Sequence, residues 1–85
     1  MEVSFSLKAN EDLELWRKSG NRSIQSKISK LIDAIIESPF EGIGKPEPLK
    51  HELTGTWSRR INQEHRIVYE VENKKITILS LKGHY

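Results

Sequence analysis

The sequence predicts an α+β domain in the order β-α-α-β-β-β, with two N-terminal helices packed on one face of a mainly antiparallel twisted sheet. Three observations carry this. Apolar and polar residues alternate in "EVSFSL". Apolar residues recur at helical spacing through "NRSIQSKISKLIDAIIESP". The alternation then returns in "TWSRRI", "HRIVYEV" and "ITILSL", which only short turns separate.

In the first stretch Val3, Phe5 and Leu7 face one way and Glu2, Ser4 and Ser6 the other, the period of a half-buried strand. "KANEDLELWRKSG" follows, with Leu13 and Trp16 at helical spacing; Ser6 or Asn10 can cap its start and Gly20 stops it. The second helix gives the strongest signal. Ile24, Ile28, Leu31, Ile32, Ile35 and Ile36 make one apolar stripe, Asn21 can cap it, and Pro39 disfavours a helical Ser38. Glycines and prolines then break any regular element from Gly42 to Gly55. Beyond them Ile67, Tyr69 and Val71 alternate with Arg66, Val68 and Glu70, and Asn73 suits a left-handed turn position in "ENKK". The last three strands should pair as a meander. With Ile67, Tyr69 and Val71 against the helices, Arg66 projects onto the opposite sheet face, joined by one of Arg59 and Arg60.

An 85-residue chain with 35% apolar and 31% charged residues suits a single domain, residues 1–85, with one small core. It has no cysteine, so disulfides, thiolate nucleophiles and Cys zinc sites are excluded. "MEVSFSLK" alternates and carries an early acid, unlike a signal peptide, and no apolar run approaches the roughly 20 residues that span a bilayer. A cytoplasmic location is expected. The net charge of +2 is unevenly spread. Residues 1–41 carry six Lys/Arg against seven Asp/Glu, whereas 42–85 carry eight against five and all three histidines. A basic half with histidines suits an anionic partner such as RNA.

The ionisable candidates lie in that half. Glu47 sits between Pro46 and Pro48, which stiffen the backbone that presents it, and Lys45 and Lys50 flank it. A lone loop acid is ordinarily just solvated; one held stiffly among cations can also serve as a general base. Arg66 could pair with Glu64 or Glu70, or hold a phosphate through its planar fork of donors. His84 is penultimate in the sequence and follows the final predicted strand, which would carry it to the sheet's edge as a proton donor. Tyr85 could stack on a base or cover core. His51 and His65 are weaker candidates, lacking metal spacing with each other or with His84. Trp16 and Trp57 read as packing residues. No Gly-rich phosphate loop is present, because "GIGKPEP" is not followed by a helix. No cofactor or metal is expected. One carboxylate, one histidine and several cations suit a reaction in which the substrate brings its own nucleophile, as RNA does with its 2′-hydroxyl.

"SPFEGIGKPEPLKHELTGTWSRRINQEHRIVYEV", residues 38–71, and the closing "KGHY", 82–85, closely resemble the YoeB (Txe) toxins of type II toxin–antitoxin modules, within the RelE superfamily. Residues 1–37 agree in layout more than in letters. The resemblance implies a microbial-ribonuclease-like fold and a ribosome-dependent endoribonuclease that cuts mRNA in the ribosomal A site. By position, Glu47 would be the general base, His84 the general acid and Arg66 the phosphate and transition-state ligand. Lys50, Arg59 and Tyr85 would assist, and Lys45 and Arg60 would join them in binding RNA. The implied partners are the ribosome-bound mRNA, a YefM/Axe-like antitoxin and a second toxin copy, with DNA reached only through the antitoxin and no membrane. The alternative is a binding module of the same fold, occupying ribosomes without cutting or acting through its antitoxin as a co-repressor.

Overall fold

The computed structural model describes residues 2–49 and 55–83. Its elements run β1 (Glu2–Phe5), α1 (Leu7–Ser19), α2 (Arg22–Glu37), β2 (Glu47–Pro48), β3 (Thr56–Arg60), β4 (Arg66–Glu72) and β5 (Lys75–Ser80). They build a five-stranded sheet in the order β1-β5-β4-β3-β2. The meander β3-β4-β5 is antiparallel as expected, and β2 extends it antiparallel to β3. At the other edge β1 pairs parallel with β5, in the register Val3 to Ile76 and Phe5 to Ile78.

β1 is shorter than its alternation suggests because Ser6 becomes a helix cap. Its Oγ accepts from the Ala9 amide at 3.1 Å and donates to the Leu79 carbonyl at 3.0 Å, fixing the turn from sheet into helix. Leu7 therefore enters α1 and is left 78% exposed. Gly20 ends α1 with φ of 73°, and Asn21 caps α2 by accepting from the Ile24 amide at 3.1 Å. Ser38 takes the extended conformation that the following proline imposes. Asn73 and Lys74, with φ of 50° and 64°, form the two-residue turn between β4 and β5.

Both helices cover the sheet face that carries Ile67, Tyr69, Ile76 and Ile78. Ala9 and Trp16 of α1 and Ile28, Leu31 and Ile35 of α2 pack there with Ile61 and Leu81. Ile36, at the edge of the predicted stripe, stays exposed. Each large aliphatic side chain buried this way contributes about 1.5–3 kcal/mol. Trp16 and Trp57 are packing residues: Trp16 is buried and Trp57 lies against Phe40 with ring centroids 5.0 Å apart. No helix among the described residues is long and apolar enough to cross a membrane.

Candidate active site

The face of the sheet turned away from the helices brings the candidates of the irregular segment and of β4 together. Residues directly opposite in neighbouring strands share a face, so Glu47 of β2, Ser58 of β3 and Val68 of β4 form one row, and Arg60 and Arg66 form the next. β2 falls in the segment predicted to be irregular, with Pro46 just before it and Pro48 within it. It is an edge strand, where a missing amide donor costs the ladder nothing. Pairing to β3 makes the Glu47 backbone part of the sheet, while its side chain remains 55% exposed.

Arg66 meets neither Glu64 nor Glu70. Its Nη1 donates to the Ser58 hydroxyl at 3.3 Å and lies 3.8 Å from the Glu47 carboxylate. That gap is an ion pair without a hydrogen bond. Among the described residues no other partner engages the guanidinium, whose side chain is 19% exposed. Arg60 is exposed directly opposite Arg66. Two cations in that register repel, and an anion between them would relieve the repulsion.

Arg59 departs from its expected place. It lies in the core-facing row with Ile67, fully buried, and is not part of this face. Its Nε donates to the Tyr69 hydroxyl at 3.1 Å, Nη1 to the Ile43 carbonyl at 3.2 Å, and Nη2 to the carbonyls of Ser38 and Glu41 at 2.5 and 3.0 Å. The guanidinium supplies the hydrogen bonds that an irregular loop cannot make with itself. Tyr69 completes the cage by donating to the Pro39 carbonyl at 2.6 Å. Burial raises the pKa of Tyr69 above its usual 10.0, against the opposing pull of Arg59. Gly44 closes against this cage. A Cβ there would sit 2.8 Å from Leu31 Cδ2 and 3.2 Å from the Arg60 carbonyl.

Next to Arg60 a cleft of about 310 Å³ opens between α2 and the β3–β4 turn. Lys27, Lys45 and Arg60 line it with the amides of Asn62 and Gln63, and no carboxylate is among its described lining residues. Lys45 holds a left-handed φ of 52° there, unusual for a residue with a side chain. Lys27 escaped the sequence reading, being one polar residue of an amphipathic helix and far in sequence from the others.

Lys50, His51, His84 and Tyr85 lie outside the described residues. The segment leading to His84 is described up to Gly83, whose carbonyl accepts from the Arg66 amide at 3.0 Å and whose amide donates to His65 Nδ1 at 3.0 Å. His65, discounted for want of metal spacing, is thus a structural neighbour of the site. Its ring meets Trp16 edge-on with centroids 4.9 Å apart, and its Nε2 lies 3.8 Å from the Glu64 carboxylate. No pattern in the sequence signals this role, because the contact is between residues 18 positions apart.

Comparison with known proteins shows the family and the fold. The family described as YoeB-like toxin of bacterial type II toxin–antitoxin systems matches residues 5–85. A Toxin YoeB from Synechocystis is 45% identical over 85 residues, covering 100% of this chain and 98% of that protein. The YoeB dimer from Staphylococcus aureus superposes with a TM-score of 0.90 at 44% identity, over 100% of this chain and 98% of that one. The YoeB–YefM complex from the same organism gives 0.86 at 45% identity, with the same coverage.

Proposed function

The chain belongs to the YoeB-like toxins of bacterial type II toxin–antitoxin systems, and from that premise we propose that it is an endoribonuclease that cuts mRNA in the ribosomal A site. The observation that supports this best is the Glu47–Arg66 pair. A half-exposed carboxylate and a mostly buried guanidinium with one hydrogen bond to a described residue stand 3.8 Å apart on the sheet face turned from the helices, carried by the two strands that flank β3.

RNA supplies the nucleophile. Glu47 takes the proton from a 2′-hydroxyl, the oxygen attacks the adjacent phosphorus, and the 5′-oxygen leaves with a proton from His84. The products are a 2′,3′-cyclic phosphate and a free 5′-hydroxyl. Arg66 stabilises the charge that gathers on the phosphoryl oxygens. Base and acid are both side chains, so the scheme calls on no metal or cofactor. His84 enters by family resemblance; its support here is that it follows Gly83, which hydrogen-bonds the Arg66 main chain. Lys45, Arg60 and Lys27, with Lys50 and Tyr85, bind the strand on either side of the scissile bond. Arg59 acts only by shaping the loop that leads to Glu47.

Working on translating ribosomes, the protein acts in the cytoplasm. Its regulator is a YefM-like antitoxin and it pairs as a homodimer, by likeness to the YoeB–YefM complex and the YoeB dimer of Staphylococcus aureus. The test is cleavage of mRNA on programmed ribosomes by wild type, Glu47→Gln and His84→Gln. Cuts by the wild type, with losses of about 10²–10⁴-fold in each variant, are expected. Message left intact by the wild type while translation stops would favour ribosome occupation without chemistry.

A further inference from the structure

The residues that immediately precede His84 are held by side chains that the proposed chemistry does not use. Leu81 is gripped from both sides by α1: its amide donates to Asp12 Oδ2 at 3.0 Å and its carbonyl accepts from the Trp16 indole at 2.8 Å. Asp12, a buried acid, also takes a bond from Lys8 at 2.8 Å. Two residues on, Gly83 crosses to the β3–β4 turn, giving its amide to His65 Nδ1 and its carbonyl to the Arg66 amide.

His65 is well placed for this. Asn62 Oδ1 accepts from the amides of Glu64 and His65, each at 2.8 Å, and the His65 carbonyl accepts from Ile61 and Asn62. The turn is therefore closed on itself and presents the imidazole from a rigid base. Trp16 packs edge-on against the ring. One tryptophan thus holds Leu81 directly and backs the histidine that holds Gly83. Gly83 has φ of 102°, and a Cβ there would meet nothing within 4 Å. The glycine is required by backbone direction and not by space.

Resting on the functional reading above, we propose that His65 is a positioning residue: through its acceptor Nδ1 it fixes Gly83 beside Arg66 and so sets where the chain delivers the general acid. An acid displaced by about 1 Å would cost the rate up to about a hundredfold while leaving substrate binding largely intact. In this role His65 acts through Gly83 and not on the substrate itself.

Two variants separate the acceptor from the ring. His65→Phe keeps a ring against Trp16 and removes the acceptor; His65→Asn keeps an acceptor near the Nδ1 position and removes the ring. On programmed ribosomes His65→Phe should lower kcat by about 10–100-fold with KM within about twofold. His65→Asn should recover most of the rate. In the free protein, exchange of the Gly83 amide, followed by NMR, should quicken by about 5–10-fold in His65→Phe, the loss of one hydrogen bond. Impairment of His65→Asn alone would show that the ring matters and not the acceptor, and equal impairment of both would show that an acceptor at that position does not suffice; either result would overturn the proposal. So would a His65→Phe protein that cuts at the wild-type rate or keeps Gly83 protected. Failure of the wild type to cut would strike the functional reading instead. Gly83 exchange then still decides the anchor, upheld by quickening and sunk by none.

Discussion

Arg59→Met is the substitution that most sharply separates fold from chemistry in this protein. It keeps an unbranched side chain of similar reach and removes a guanidinium that donates to the Tyr69 hydroxyl and to the carbonyls of Ser38, Glu41 and Ile43. Each buried acceptor left without a partner costs about 1–3 kcal/mol. The loop carbonyls are only partly buried, so water can reach some of them, and removing a buried charge returns part of the loss. The net expectation is about 2–4 kcal/mol, taken from a total of about 4–13 kcal/mol for a chain of this length. In thermal unfolding that is a midpoint drop of about 10–25 °C. Urea unfolding should show the same loss at an unchanged m value. Arg59→Lys should recover little, since one ammonium cannot span four acceptors arranged around a planar fork. The reasoning fails if Arg59→Met unfolds at the wild-type midpoint but loses RNA cleavage, the behaviour of a ligand-binding arginine on an accessible face.

Three further outcomes follow from the same geometry. Gly44→Ala should destabilise by about 1–3 kcal/mol, because φ of 83° disfavours a side chain and the new Cβ meets Leu31 and the Arg60 carbonyl; chemical denaturation measures it. Lys27→Ala should weaken association with programmed ribosomes, reduce the salt dependence of binding by about 0.7 in the log–log slope, and leave the rate at saturation unchanged. Tyr69, whose pKa burial raises, should make the fold alkali-sensitive. A proton held more tightly folded than unfolded gives a contribution that is complete below the unfolded pKa of about 10 and is lost as pH climbs through the folded value. Stability measured from pH 8 to pH 12 should therefore fall at the top of that range (about 10 and above), and Tyr69→Phe should flatten the fall.

The helices and the meander were legible because burial imposes a period on the residues that experience it. The 3.6-residue stripe of α2 and the alternation of Ile67, Tyr69 and Val71 record which side meets the core. Periodicity has no direction, so it could not reveal that β1 lies parallel to β5. Nor could it find β2, where the prolines argue against a strand until its edge position is known. The parity of β3 did contain the fate of its arginines. Trp57, Arg59 and Ile61 alternate together, and two of the three are apolar, which assigns Arg59 to the core side. Family likeness had pointed the other way. Charge at a core-facing position looked improbable until the loop carbonyls that need it were in view.

Those carbonyls explain how the two arginines, seven residues apart in sequence, divide their work. Arg59 places its donors on Ser38, Glu41, Ile43 and Tyr69, and so turns residues 38–44 into a fixed approach to β2. Gly44, against Arg59 and with its carbonyl bonded to the Arg60 amide at 2.7 Å, passes that order on to Lys45 and the strand that presents Glu47. Arg66 is the opposite case: its fork has one hydrogen bond to Ser58, a loose carboxylate neighbour, and otherwise no described partner. A guanidinium committed to three carbonyls and a hydroxyl has little left for a phosphate, whereas one with a single hydrogen bond among the described residues holds less of the fold together. Replacing each arginine by lysine should therefore separate them. Arg59→Lys should lower stability and lower cleavage only as far as the loop loosens, whereas Arg66→Lys should cost less stability and, on the proposed chemistry, cut the rate through loss of a bidentate grip on the phosphoryl oxygens.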